Sequence, residues 1–326
     1  MSPAMHPVEI RRQADARERD AVLDLLADWL DDRNFFARYF AYDPSFRDDL
    51  CFVAEDGGRI VSTLQVFRKV VRIDGAMLAV GGVGNVYTAP AYRQAGVASA
   101  LLERALAVME QQGFDVSLLF ASRLDFYARF GWRSQLRYLS FIEPSEARPS
   151  TDAEEFVAAR DLDGVVDVYG IHSAPIPGST VRDAAYWSGQ LRYAGNPDER
   201  ILVVRRGGAV LAYARATTLY DFHTIIEHGC LPGAEQALAD LIAHMHAGVP
   251  TGTIAQLTPS SELAELLRGH GLTVNRVEDR SWMWHPLEPA RLAAKLRVPE
   301  ATVQGEGFFE ELLPPASSRY WLSDRF

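Results

Sequence analysis

From residue 20 the apolar positions fall at helical spacing. In DAVLDLLADWLD, Val22, Leu23, Leu26, Trp29 and Leu30 share one face, which predicts a helix over 20–31. NFFARYFA predicts a second helix behind it. At Leu50 the pattern changes to that of strands. LCFVAE, a DGG turn and RIVSTLQVFRKVVRI read as a hairpin, and Asp74-Gly75 closes another before MLAVGGVGNVYT, a strand whose glycines relax it. Ala98, Leu101, Leu102, Ala105, Leu106 and Met109 then restore the helical stripe, which Gly113 stops. DVSLLFAS reads as a short buried strand and RLDFYARFGW as a short helix ending at Gly131. Two helices, antiparallel strands, a helix, a strand and a helix predict an α+β fold built on a mixed α/β sheet.

The order then recurs more faintly. EPSEARPSTDAEE, residues 143–155, is polar with Pro and Ser and reads as a linker. LDGVVDVYGIH and RDAAYWSGQLRY are helical, and a hairpin turns at Gly207 and Gly208. FHTIIEHGCLPGAEQALADLIAHMHAG reads strand, turn, helix, and TGTIAQLT with SELAELLRGHGL reads strand, helix. From Pro286 a third segment, LEPARLAAKLRVPEA, leads through Pro314 and Pro315 to RYWLSDRF. The expected division is 1–145, 153–285 and 286–326.

The chain's 326 residues suit two domains of about 150 each. No apolar run approaches the roughly 20 residues of a membrane span, and the first residues carry no apolar signal core, so a cytoplasmic protein is expected. Cys51 and Cys230 stand far apart and outside metal-ligand spacing, giving no disulfide framework. His244 and His246, two apart on a helix, do not share a face, and no third ligand is evident, so no metal is expected. A net charge of −10 argues against a nucleic-acid partner. It suits a cationic substrate, or simply solubility.

The chemistry-bearing segment is YRQAGVASALL, from Tyr92. A helix N-terminus offers unpaired N–H groups to phosphate, and Gly96 with the small Ala95 and Ala98 leaves the backbone bare. Arg93 and Gln94 can add side-chain donors. A plain turn feeding a helix would carry a similar string. In context the segment resembles the GNAT superfamily of acyl-CoA-dependent N-acyltransferases. Their pyrophosphate motif is Arg or Gln, two residues, Gly, one residue, Gly or Ala, and Arg93, Gly96 and Ala98 match it in order. NVYTAPAYRQAGVASALLERAL resembles the family's central strand and helix, and LFASRLDFYARFGW the strand and helix that complete its cofactor site. FYARFGW, the echo beyond residue 150 and EPARLAAKLRVPE are similar to the narrower enhanced-intracellular-survival (Eis) type. That type joins a catalytic GNAT domain, a degenerate second one and a sterol-carrier-like domain. The resemblance covers roughly residues 5–300. Only about 40 residues follow Trp284, too few for a third domain of ordinary size, so the C-terminal region is shortened.

The resemblance implies tandem GNAT-like domains, the second degenerate, and direct acetyl transfer from acetyl-CoA to a primary amine. Amides of Val86, Tyr87 and Thr88 would meet the thioester and pantetheine arm. Arg93, Gln94, Ala95, Gly96, Val97, Ala98 and Ser99 would hold the pyrophosphate, with Ala121 and Ser122 bordering the cofactor. Tyr127 matches the general acid for the departing thiolate, although an aromatic beside Phe126 and Phe130 also serves as packing. Phe326 would carry the α-carboxylate that such enzymes use as general base, where an ordinary terminus would fray. Asp28, Trp29, Asp32 and Phe36, with Asp24, Asp31 and Phe35, lie where the family places its substrate helices. Acids beside aromatics suit an aminoglycoside- or polyamine-like cation, and a solvated helix face accounts for the acids equally well. The second copy's GCLPGAEQ lacks the motif and is expected to be scaffold. The expected partner is a small amine, with no nucleic acid or membrane and a possible homo-oligomer. A peptide N-acetyltransferase and a non-catalytic acyl-CoA sensor remain the alternatives.

Overall fold

A computed structural model describes residues 8–13, 16–30, 32–145, 152–193, 198–219, 221–257 and 261–326. The middle of the expected linker, 146–151, and Asp31 lie outside these residues. The first half runs β1 (Glu9–Arg12), α1 (Ala16–Leu30), α2 (Arg33–Tyr42), β2 (Cys51–Asp56), β3 (Arg59–Ile73), β4 (Ala76–Thr88), α3 (Val97–Gln111), β5 (Val116–Phe120), α4 (Leu124–Ala128) and β6 (Arg133–Ile142). The second runs β7 (Glu154–Glu155), α5 (Ala158–Ser173), β8 (Ser179–Thr180), α6 (Ala184–Tyr193), β9 (Arg200–Arg206) and β10 (Ala209–Leu219). It continues with β11 (Phe222–Cys230), α7 (Glu235–His246), β12 (Thr253–Ala255), α8 (Ser261–Gly269) and β13 (Val274–Pro286). The last segment adds α9 (Pro289–Leu296), α10 (Glu300–Gln304) and α11 (Phe308–Leu312).

The strands form one mixed sheet in the order β1-β2-β3-β4-β5-β13-β6-β12-β11-β10-β9-β7, with β8 on β3. Two pairs are parallel, β4 with β5 and β11 with β12. Each is joined by a crossover helix, α3 or α7, as parallel neighbours require. These matching crossovers are the physical form of the internal echo. The halves are nevertheless stitched together. β13 pairs with β5 on one side and β6 on the other, and β6 also pairs with β12.

On one face of the first half α3 covers Leu64, Val66, Val83 and Leu119 with Leu101, Leu102 and Met109. On the other, Val71, Val80, Leu118, Trp282 and Trp284 lie under Leu292, Phe308, Phe309 and Tyr320. The segment after 286 is therefore the second cover of the first half's sheet. Its helices bury the large apolar side chains that a helix pair would otherwise have to cover.

Candidate functional site

The site begins with an irregularity in β4. Thr63 pairs with Tyr87 but Gln65 with Gly84, so Asn85 and Val86 together face Leu64 in a bulge. Asn85 takes a positive φ of 50°, a conformation Asn tolerates better than most side chains. The parallel ladder with β5 spans Val80–Val116 to Val83–Leu119. Among the described residues, the β5 side of β4 has no strand partner beyond Val83, so the β4–β5 ladder opens there.

Three glycines of β4 record what fills the space around it. A Cβ on Gly81 would stand 2.2 Å from Met109 Sδ on the α3 side. On Gly82 it would stand 2.3 Å from Phe326 Cε1, and on Gly84 3.0 Å from the Phe326 carbonyl carbon and oxygen. These glycines make room for neighbours, which corrects the reading that they merely relax the strand. Phe326 lies in the opposite-face cluster, its ring stacked on Phe67 at 5.7 Å and close to Phe120 at 6.1 Å and Tyr320 at 6.2 Å. The last residue is thus held against the strand at the bulge, rather than frayed.

Past β4 the chain turns through Pro90–Tyr92 into the loop before α3. Gln94 (φ 64°) and Gly96 (φ 80°) are both left-handed, and residues 93–96 are exposed. Among the described residues, the N–H groups of Gln94 through Ser99 donate to no backbone carbonyl. The first helical bond is Ala100 N to Gly96 O at 3.0 Å. Alternating hands turn successive N–H groups toward one concavity, and the α3 dipole adds to it. The expected phosphate residues are therefore contiguous and bare. The Arg93 Nε donates to Thr88 O at 3.0 Å, and its guanidinium lies 5.4 Å from the Tyr87 ring centre. It braces the loop against β4. The space at Gly96 is open, so a side chain there costs conformation alone. Gly96→Val should raise the acetyl-CoA KM about tenfold, the equivalent of the 1–2 kcal/mol left-handed penalty. A KM within about twofold of wild type, by steady-state titration, would contradict this.

Ala121, which donates to Ser281 O at 2.9 Å, and the exposed Ser122 follow β5 directly. Tyr127, on α4, packs with the α3-face cluster, 5.0 Å from Phe126 and 6.2 Å from Trp132. Burial pushes its phenol up to about 12, against a small opposing pull from Arg123. Tyr127 and Phe326 thus pack with the clusters on opposite faces of the sheet.

The expected substrate residues divide. Trp29 stacks on Tyr87 of β4 at 6.2 Å and on Phe36 at 6.1 Å; Trp29 is 49% exposed and Phe36 1%. Asp32 caps α2 by accepting from Phe35 N at 2.9 Å, and Asp24 pairs with Arg33 at 2.7 Å. Asp28 is exposed. Asp24 and Asp32 are thus engaged locally, while the half-exposed Trp29 lies on Tyr87 near the end of β4.

Residues 9–134 match the acetyltransferase (GNAT) domain profile. No curated protein sequence matches the chain. A probable N-acyltransferase from Enterococcus faecalis V583 is similar in fold at 17% identity and TM-score 0.70, covering 89% of this chain and 75% of that one. Eis1 from Mycobacterium abscessus is similar at 15% identity and TM-score 0.61, covering 88% and 75%. Saccharomyces cerevisiae N-myristoyltransferase, solved with bound myristoyl-CoA, is similar at 10% identity and TM-score 0.58, covering 87% and 80%. The chain therefore carries an acetyltransferase (GNAT) domain at residues 9–134, set in a longer fold similar to those of these solved structures.

Proposed function

We propose that the protein is an acetyl-CoA-dependent N-acetyltransferase of the Eis type, moving the acetyl group directly to a primary amine of a small cationic acceptor. One observation carries this reading: the opening beyond Val83 has a bare-amide loop on its α3 side and the Phe326 carbonyl against its other face. In it, 1–145 is catalytic, 153–285 is a GNAT-like scaffold and 286–326 brings the base. Acetyl-CoA supplies an activated acyl group. The amides at Gln94–Ser99 suit its pyrophosphate, and the β5 side of β4 at Val86–Thr88, where no strand pairs among the described residues, suits its arm. Phe326, as an α-carboxylate ionised above about pH 4, accepts the proton of the incoming amine, directly or through water. Tyr127 gives its phenol proton to the departing sulfur. Trp29 presents an aromatic face to a cation, with Asp28 on the same helix.

Tyr127→Phe tests the proton donor. Loss of a positioned acid should lower kcat about 10²–10⁴-fold while leaving the acetyl-CoA KM within about threefold. Because burial holds the phenol near 12, its proton stays in place through alkaline assay conditions, and no alkaline fall of kcat should appear below about pH 10. An unchanged kcat in Tyr127→Phe would remove the assignment.

A further inference from the structure

The tail that carries Phe326 is anchored by charges from the second half. Asp324 is completely buried, as are its partners Arg182, Glu227 and Tyr186 or nearly so. The Arg182 fork donates to both Asp324 oxygens, Nε to Oδ1 at 3.0 Å and Nη2 to Oδ2 at 2.8 Å. The same guanidinium donates to Glu227 at 3.0 and 2.7 Å. Tyr186 Oη donates to Asp324 Oδ1 at 2.8 Å, and Gln190 Nε2 does so at 2.9 Å. Ser323 Oγ donates to Glu227, and Tyr320 Oη to Asp324 O at 2.9 Å. The network also reaches the first half: Lys69 Nζ on β3 donates to Tyr186 Oη at 3.0 Å and pairs with Asp43 at 3.1 Å.

A buried ion network of this kind adds little net stability over an apolar equivalent, because desolvation offsets the attraction. What it does impose is one geometry. Arg182 supplies a rigid planar fork on a carboxylate two residues from Phe326, at most about 7 Å of extended chain. We propose that Arg182 and Tyr186 are positioning residues for acyl transfer, fixing the tail through Asp324 so that Phe326 stands at the β4 opening. This rests on the reading of Phe326 as the base, and it gives the second half a task that a phosphate-free copy of the fold can perform.

Two readouts test it together in the full-length protein: release of Phe326 by carboxypeptidase A, and kcat with the acetyl-CoA KM. Asp324→Asn keeps the shape but loses the charge, and Tyr186→Phe keeps the ring but loses the hydroxyl. Both should release Phe326 faster and lower kcat, by about tenfold for Asp324→Asn and less for Tyr186→Phe, with KM within about twofold. A merely structural role would not join loss of terminal protection to a fall confined to kcat. Wild-type protection and wild-type kcat in the folded variants would overturn the proposal; if Asp324→Asn does not fold, Tyr186→Phe decides on the same readouts. A chain lacking Phe326 separates the two ideas. Full activity there sinks the base, while release of Phe326 from the full-length variants still reports on the anchor.

Discussion

Removing Phe326, or extending the chain beyond it, should lower kcat about 10²–10⁴-fold and leave acetyl-CoA binding within about threefold, as expected for loss of a positioned general base. The expectation rests on where the residue stands. Its ring is gripped by Phe67 and Phe120, and its carbonyl group lies against Gly84, one residue before the bulge. Deletion takes away both ring and carboxylate, while an added tag keeps the ring and moves the charge. The tagged chain is therefore the sharper variant, since it leaves the aromatic contacts available. Binding should survive in both, because the loop at Gln94–Ser99 is built by β4 and α3 and not by the tail. If the two variants kept wild-type kcat, the proton would have to leave by another route.

Glu227→Ala should be the most destabilising single change in the buried network, costing about 3–5 kcal/mol in urea unfolding. It would leave Arg182 and Arg215 buried with less countercharge, and Tyr213 without the acceptor it meets at 2.8 Å. Burial alone would push the Glu227 carboxyl up, but Arg182 and Arg215, with the Ser323 hydroxyl, outweigh it and hold the group at about 2. A carboxyl held below its unfolded value of about 4.3 contributes stability above that pH and loses it as pH falls toward about 2. Wild-type stability should therefore decline across that window, and the decline should be shallower in Glu227→Ala. A cost below about 1 kcal/mol, or an unchanged acid slope, would contradict this.

The first half was legible because its signals are local. The apolar, β-branched run of β3 between two Gly turns, the stripe of α3 and the Gly96 entrance each depend on a few neighbouring residues. The fold class followed from them. What the sequence hid depends on long-range pairing. β6 and β13 went unread because each mixes charged and apolar residues: RSQLRYLSFI, and VNRVEDRSWMWHP with Arg276, Glu278, Asp279 and Arg280 in a row of largely exposed positions. Their exchange between the halves has no local signature at all.

The glycines of β4 were seen but misread for the same reason, since their partners, Met109 and Phe326, come from elsewhere in the chain. Asp24 and Asp32, which suit either a cationic substrate or a solvated helix face, meet local partners: Asp24 pairs with Arg33 and Asp32 caps α2. An Asp directly before a helix is a cap signal that the sequence did offer. Arg182, Glu227 and Asp324 carried no motif, and only the fold brings carboxylates 45 and 142 residues away onto one guanidinium.

The measurement closest to the central claim is amine-dependent release of CoA thiol from acetyl-CoA, across a panel of polyamines, aminoglycosides and N-terminal peptides. The expected result is turnover with at least one small cationic amine, lost in Tyr127→Phe and in the chain extended beyond Phe326. Tight acetyl-CoA binding with no amine-stimulated thiol release would contradict it and leave an acyl-CoA-binding module in place of an enzyme.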